Sequence, residues 1–173
     1  ASLPGVGKNL RDHASAGISF ERRTESPFLR NMRADRIAIS LAQAALFGTG
    51  FAADLPLGIT AFLRSLPQEP IPDYQLLFWM GATSAVTPYF KPFRQPFADT
   101  FFCRAMPMRP TSQGTVELVS ANPHDAPLIK QNFLGSEEEW RILRTGLRKI
   151  REIAALPGLE KYTQGAFGIG IDD

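Results

Sequence analysis

The chain has 173 residues, 44% hydrophobic and 21% charged, with a formal net charge of +2. This composition excludes disordered, collagen-like and low-complexity classes, and the length suffices for one real core. The single cysteine, Cys103, excludes an intrachain disulfide and a cysteine-cluster metal site, and with only His13 and His124 no metal is expected.

Residues 1–13 read as a turn-rich connecting segment. Residues 14–21 (ASAGISFE) alternate Ala16, Ile18 and Phe20 against smaller or polar neighbours and predict a strand. From Ala34 to Phe47 the positions Ile37, Leu41, Ala44 and Ala45 recur at helical spacing, and Gly48 and Gly50 end that element. Strands are expected at Gly58–Arg64 and Tyr74–Met80, divided by a proline-rich SLPQEPIPD, and at Thr100–Met108, where Pro107 confines the end to an edge or bulge. Between the last two, Pro88, Pro92 and Pro96 interleave with Phe90, Phe93 and Phe97 in an ordered apolar loop. Its phenylalanines either plug the edge of the core or form a lid over a ligand.

Gly114–Ser120 (GTVELVS) alternates again and is bracketed by turns. The last element is the clearest. Ser136 and Glu139 predict a capping box, the hydroxyl accepting from the third helical N–H and the glutamate reaching back. Trp140, Leu143, Leu147, Ile150 and Ala154 follow on one face, and Pro157-Gly158 stops the helix. Trp140→Ala is accordingly expected to cost ~3–5 kcal/mol, as a buried aromatic truncation. The pattern is α+β, an antiparallel sheet with flanking helices: a connecting segment at 1–13, a domain at 14–155, and a C-terminal coil at 156–173.

Little in this chain reads as a reaction centre. Gly48-Thr49-Gly50 follows a helix, whereas a dinucleotide fingerprint joins a strand to a helix start. Gly5-Val6-Gly7 has no strand before it, and Gly165, Gly168 and Gly170 sit in the C-terminal coil. His13 and His124 lie in turns and read as surface or capping histidines. Basic residues between Lys8 and Arg36 are interspersed with Asp12, Glu21, Glu25 and Asp35, a solvated surface rather than a nucleic-acid patch. The longest apolar run, Ile37 to Phe47, contains Ser40 and Gln43 and is too short to span a membrane. With no visible leader, a cytoplasmic protein is expected, peripheral membrane contact being left open.

Taken in order, the turn segments carry a resemblance. Leu3-Pro4-Gly5-Val6-Gly7-Lys8-Asn9-Leu10-Arg11-Asp12-His13 is similar to the LPGVGxNLxDH segment of glucose–methanol–choline oxidoreductases. Arg109 to Leu118, with Ser120-Ala121-Asn122-Pro123 and Pro127-Leu128-Ile129, resembles that family's RPxSxGxVxLxSxDPxxxPxI run. Pro72-Asp73-Tyr74-Gln75 and Phe133-Leu134-Gly135-Ser136-Glu137 fit the same register, so the resemblance covers nearly the whole chain.

The resemblance, to the choline-dehydrogenase-like branch in particular, implies FAD enzymes that oxidise alcohols. In these a histidine takes the alcohol proton while hydride leaves for flavin N5. It implies that this chain is the substrate-binding portion, facing an FAD domain of the same enzyme, with the glycine fingerprint and the catalytic histidine elsewhere. No catalytic residue is then expected here, and the isolated chain is expected to be inactive. Asn9 and His13 are the candidates for cofactor contact, and Phe78, Met80, Met106 and Met108 for the substrate pocket, where pocket and core remain open as readings. Gly58 stands where many relatives have Glu, which removes the carboxylate a quaternary ammonium would want and points to a neutral alcohol. A non-catalytic binding module derived from the same domain is the alternative.

Overall fold

A computed structural model describes residues 3–53, 57–81 and 88–167. In chain order its elements are β1 (Ala16–Arg22), α1 (Pro27–Asn31), α2 (Ala34–Phe47), β2 (Leu57–Leu63), β3 (Tyr74–Trp79) and β4 (Thr100–Pro107). They continue with β5 (Thr115–Glu117), β6 (Leu128–Lys130), α3 (Glu137–Ala154), α4 (Pro157–Glu160) and β7 (Thr163–Phe167). The fold is α+β.

Five strands form one antiparallel sheet in the order β2-β3-β4-β1-β7, and β5 and β6 form a separate two-stranded ribbon. Alternation decides the faces. Ile18, Phe20, Tyr74, Leu76, Cys103 and Ala105 point to one side and are buried there under Ile142, Leu143, Leu147 and Ile150 of α3. Cys103 is central to this layer, and burial pushes its thiol up to about 12. Helix α3 can lie this close because Gly146 faces the sheet: a Cβ there would stand 2.5 Å from Ala105 Cβ and 3.3 Å from Tyr74 Cδ2.

Two expectations about α3 are corrected. Its buried residues are Glu139, Ile142, Leu143, Gly146, Leu147 and Ile150, and that centre leaves Trp140 roughly a quarter-turn aside and 42% exposed. Trp140→Ala is therefore expected to cost only about 1–2 kcal/mol, well below a fully buried aromatic truncation, as thermal melts would show. The capping box is also only half made. Ser136 Oγ accepts from Glu139 N at 3.3 Å, but the Glu139 carboxylate turns to the loop before β5.

The expected C-terminal coil is corrected as well. Residues 157–160 are α4, and 163–167 are β7, which pairs with β1. Leu128–Lys130, read only as part of a motif, pairs with β5. That ribbon lies outside the core, with Leu118 88% exposed just beyond it. Gly168, Gly170, Asp172 and Asp173 lie outside the described residues.

Helix α2 spans the expected range and ends where Gly48 adopts φ 65° and its N–H reaches Ala44 O. The phenylalanine loop divides its labour. Phe97 packs on Phe28 and Tyr89, whereas Phe90 and Phe93 stack on each other, with Phe93 85% exposed. The loop is pinned to the α1–α2 junction by Tyr89 N to Met32 O at 3.1 Å and Ala34 N to Tyr89 O at 2.8 Å. No described helix is long and apolar enough to cross a membrane.

Candidate functional site

The motif residues converge on a structural joint. Leu10 pairs with Gly114, and Val116 N donates to Gly7 O at 2.7 Å. Gly7 has φ 76° and lies so close to the Val116 carbonyl that a side chain would collide with it. The opening segment is thus laid against β5. Glu139, 4% exposed, ties the next motif down: its Oε1 accepts from Thr111 N, Thr111 Oγ1 and Ser112 N at 2.7, 3.1 and 2.8 Å, and its Oε2 from Ser112 Oγ at 2.7 Å. Burial pushes this carboxyl up, but the donors from Ser112 and Thr111 together outweigh it and hold Glu139 below the ordinary glutamate range.

Asp73 ties down the start of β3. Its carboxylate accepts from Ser65 N at 2.7 Å and from Ser65 Oγ, its N–H donates to Leu63 O, and its carbonyl accepts from Met108 N at 2.9 Å. Arg141 of α3 reaches Ser65 Oγ at 3.1 Å. Asn122 caps its turn as expected, Oδ1 accepting from His124 N at 3.2 Å, while Nδ2 donates to Asp125. These contacts hold the sheet, its helix and its connections in register.

The face of the sheet away from α3 has a different character. By register it carries Gln75, Leu77 and Trp79 on β3, Phe102, Arg104 and Met106 on β4, and Gly17 and Ser19 on β1. All are half-buried, and no described helix lies across them as α3 lies across the other side. Arg104 sits opposite Gly17 on one neighbour and Leu77 on the other. The Phe102 ring fills the space over Gly17, where a Cβ would meet its Cζ at 2.5 Å. Two buried nitrogens on this face, Trp79 Nε1 and Arg104 Nε, have no hydrogen-bond partner. Desolvated donors of this kind are uncommon and call for an acceptor.

The four pocket candidates are not brought together. Phe78 pairs with Cys103 and packs against the core, whereas Met106 pairs with Gln75 and lies on the opposite face. Of the two readings open for Phe78, its packing is that of the core, and Met106 lies opposite because residues an odd number of steps apart across a ladder point oppositely. Met80 lies beyond β3 and is exposed, its carbonyl accepting from Arg22 Nη2 at 3.1 Å, and Met108 is half-buried just past β4. Asn9 and His13 are exposed in the opening segment. His13 Nδ1 stands 2.9 Å from Pro107 O, and with the proton on Nδ1 the ring donates there, leaving Nε2 free to accept. Trp79 and Arg104, which share this face, are not among the sequence candidates, although an arginine inside the apolar TFFCRAMPM stands out.

A family model described as GMC oxidoreductase matches residues 110–171. The oxygen-dependent choline dehydrogenase of Chromohalobacter salexigens is 32% identical over 163 residues, covering 92% of this chain and 28% of that protein. The chain belongs to the GMC oxidoreductase family. The oxygen-dependent choline dehydrogenase of Pseudomonas fluorescens is 31% identical and covers 98% of this GMC chain and 29% of its own length. This chain thus spans under a third of the length of these curated relatives. Among solved structures, Aspergillus oryzae formate oxidase superposes with a TM-score of 0.73 at 18% identity, over 95% of this chain and 33% of its own. Pyridoxine 4-oxidase from Mesorbium loti gives 0.67 at 15% identity, over 98% and 29%. At such identities these two show the GMC fold alone.

Proposed function

We propose that this chain forms the substrate-facing wall of an FAD-dependent oxidoreductase acting on CH–OH groups of alcohols, with residues 14–155 as its substrate-binding domain. The observation that carries the reading is a sheet covered by α3 on one face and left without a described helix on the other. Support comes from the relatives named as choline dehydrogenases and from the formate oxidase studied for modification of its FAD.

The described residues do not fit an entire FAD. Gly7 is packed on Val116, Gly48 closes α2 and Gly50 lies against Gln43, so none of these glycine segments presents a phosphate cradle. FAD would be held mainly by other polypeptide, with Asn9 and His13 as candidates for contact at its edge. The chain's own contribution is orientation and the exclusion of water. Leu77, Phe102 and Met106 give the open face an apolar surface, and antiparallel pairing fixes their spacing. Holding reactants in place contributes up to ~7–11 kcal/mol in favourable cases.

Choline itself is disfavoured as substrate. The backbone at Gly58 runs so close to β3 that a Cβ would stand 2.5 Å from Phe78 O, so the glutamate of many relatives has no room here. An alcohol lacking a quaternary ammonium is the substrate class.

Expressed with any coding sequence that flanks it, the protein is expected to purify yellow with stoichiometric FAD, bleached by anaerobic addition of a primary alcohol. The 173-residue chain alone is expected to retain no FAD and to turn over no alcohol with added FAD and a dye acceptor. A colourless longer product, or turnover by the chain alone, would overturn the reading.

A further inference from the structure

The geometry points to a carboxylate-binding site at Arg104 and Trp79 on the open face of the sheet, which selects alcohols that carry a carboxylate group. The inference rests on the reading of that face as the substrate wall and refines its substrate class. Leu77 is the cross-strand partner of Arg104 and Phe102 that of Trp79, so Arg104 and Trp79 are diagonal neighbours on one face of adjacent strands. At roughly 7–8 Å between such positions, long side chains can act on one ligand.

Both residues present a buried N–H without an acceptor, Nε of the guanidinium and Nε1 of the indole. Arg104 forms no ion pair or side-chain hydrogen bond with any described residue. Its same-face neighbours are Gly17, Leu77, Phe102, Met106 and Gln75, none of them acidic. Among the described residues, the charge of this patch is therefore positive and uncompensated. A cation would be repelled and a neutral hydroxyl would answer only one donor. A carboxylate brings charge together with two acceptor oxygens, one for the guanidinium fork and one for the indole, and since both nitrogens are sealed in the unliganded chain the two side chains turn outward on binding. The apolar surroundings supplied by Leu77, Phe102 and Met106 strengthen that pairing by lowering the local dielectric.

The two tryptophans make a direct test possible in the 173-residue chain, because Trp79 lies on the open face and Trp140 on α3. The probes are 4-(hydroxymethyl)benzoate and its primary amide, which share shape and alcohol but differ in charge. In two-dimensional NMR the benzoate is expected to shift the Trp79 indole N–H saturably and to leave that of Trp140 in place. The amide is expected to bind at least ~10-fold more weakly, the loss appropriate to a charge-assisted pair. Arg104→Leu should abolish the preference and Arg104→Lys retain part of it.

Equal shifts from acid and amide, no saturable shift, equal movement of both indoles, or an unchanged preference in Arg104→Leu would each overturn the site. The comparison of acid with amide needs no variant, so a misfolded substitution does not spoil it. Flavin content of the longer product reports separately on the broader reading: a yellow enzyme without carboxylate preference defeats only this site, and a carboxylate-binding chain whose longer product is colourless defeats only the flavoenzyme assignment.

Discussion

Replacing Gly146 with leucine is expected to unfold the chain or to lower its stability by at least ~3 kcal/mol, the upper part of the range for overpacking a core. The reason is the closeness of α3 to the sheet. A single Cβ at 146 already falls 2.5 Å from Ala105 Cβ, and a leucine adds three more carbons against the Tyr74 ring. Tyr74 is 1% exposed and has nowhere to go, so the helix must lift from the face that holds Leu76 and Cys103. Gly146→Ala should be milder, since an overpacking cost of ~1–3 kcal/mol is offset by about 1 kcal/mol of helix propensity. Ala105→Gly removes the atom in conflict and should rescue Gly146→Ala specifically. A urea-denaturation double-mutant cycle measures that coupling, and additive single effects would show that the two residues do not touch.

The second large effect concerns Glu139. Glu139→Gln keeps the shape but replaces an anion that accepts four hydrogen bonds, one of them from Ser112 Oγ to the oxygen that becomes an amide nitrogen. A loss of ~2–4 kcal/mol is expected from weaker bonds and an unsatisfied hydroxyl. The pH dependence has a defined sign. The folded carboxyl titrates below its ordinary value, so its contribution is complete above the unfolded glutamate pKa of about 4.3 and is lost as pH falls through the folded value. Wild type and Glu139→Gln should thus converge in stability as pH falls below about 4, when measured by urea unfolding across a pH series. A constant difference between them at every pH would show that the glutamate's charge is irrelevant to this joint.

Periodicity made much of the fold legible. Ala16, Ile18 and Phe20 alternate as β1 does, α2 runs between the residues its spacing marks, and α3 begins at the serine that caps it. What stayed hidden depended on partners. Residues 163–167 hold two small residues among five and become a strand because β1 offers them an edge. Alternation sorts the residues of one strand between two faces, but only the ladder tells which face of the next strand matches. Phe78 and Met106 fell on opposite sides for that reason, and Arg104 and Trp79 on the same side. Glu139 had two available uses, the helix start or the loop beside it, and the loop supplied more donors.

The position of β1 has a consequence for biosynthesis. Both of its neighbours lie far downstream, β4 about 80–90 residues later and β7 about 145. At ~5–20 residues per second, several seconds pass between emergence of Ala16–Arg22 from the ribosome and arrival of its first ladder partner. During that interval Ile18 and Phe20 have no layer to enter, and both edges of the strand are open to other nascent chains. A holding chaperone that engages the chain before Thr100–Pro107 has emerged would therefore raise the yield of native protein more than one that acts after release.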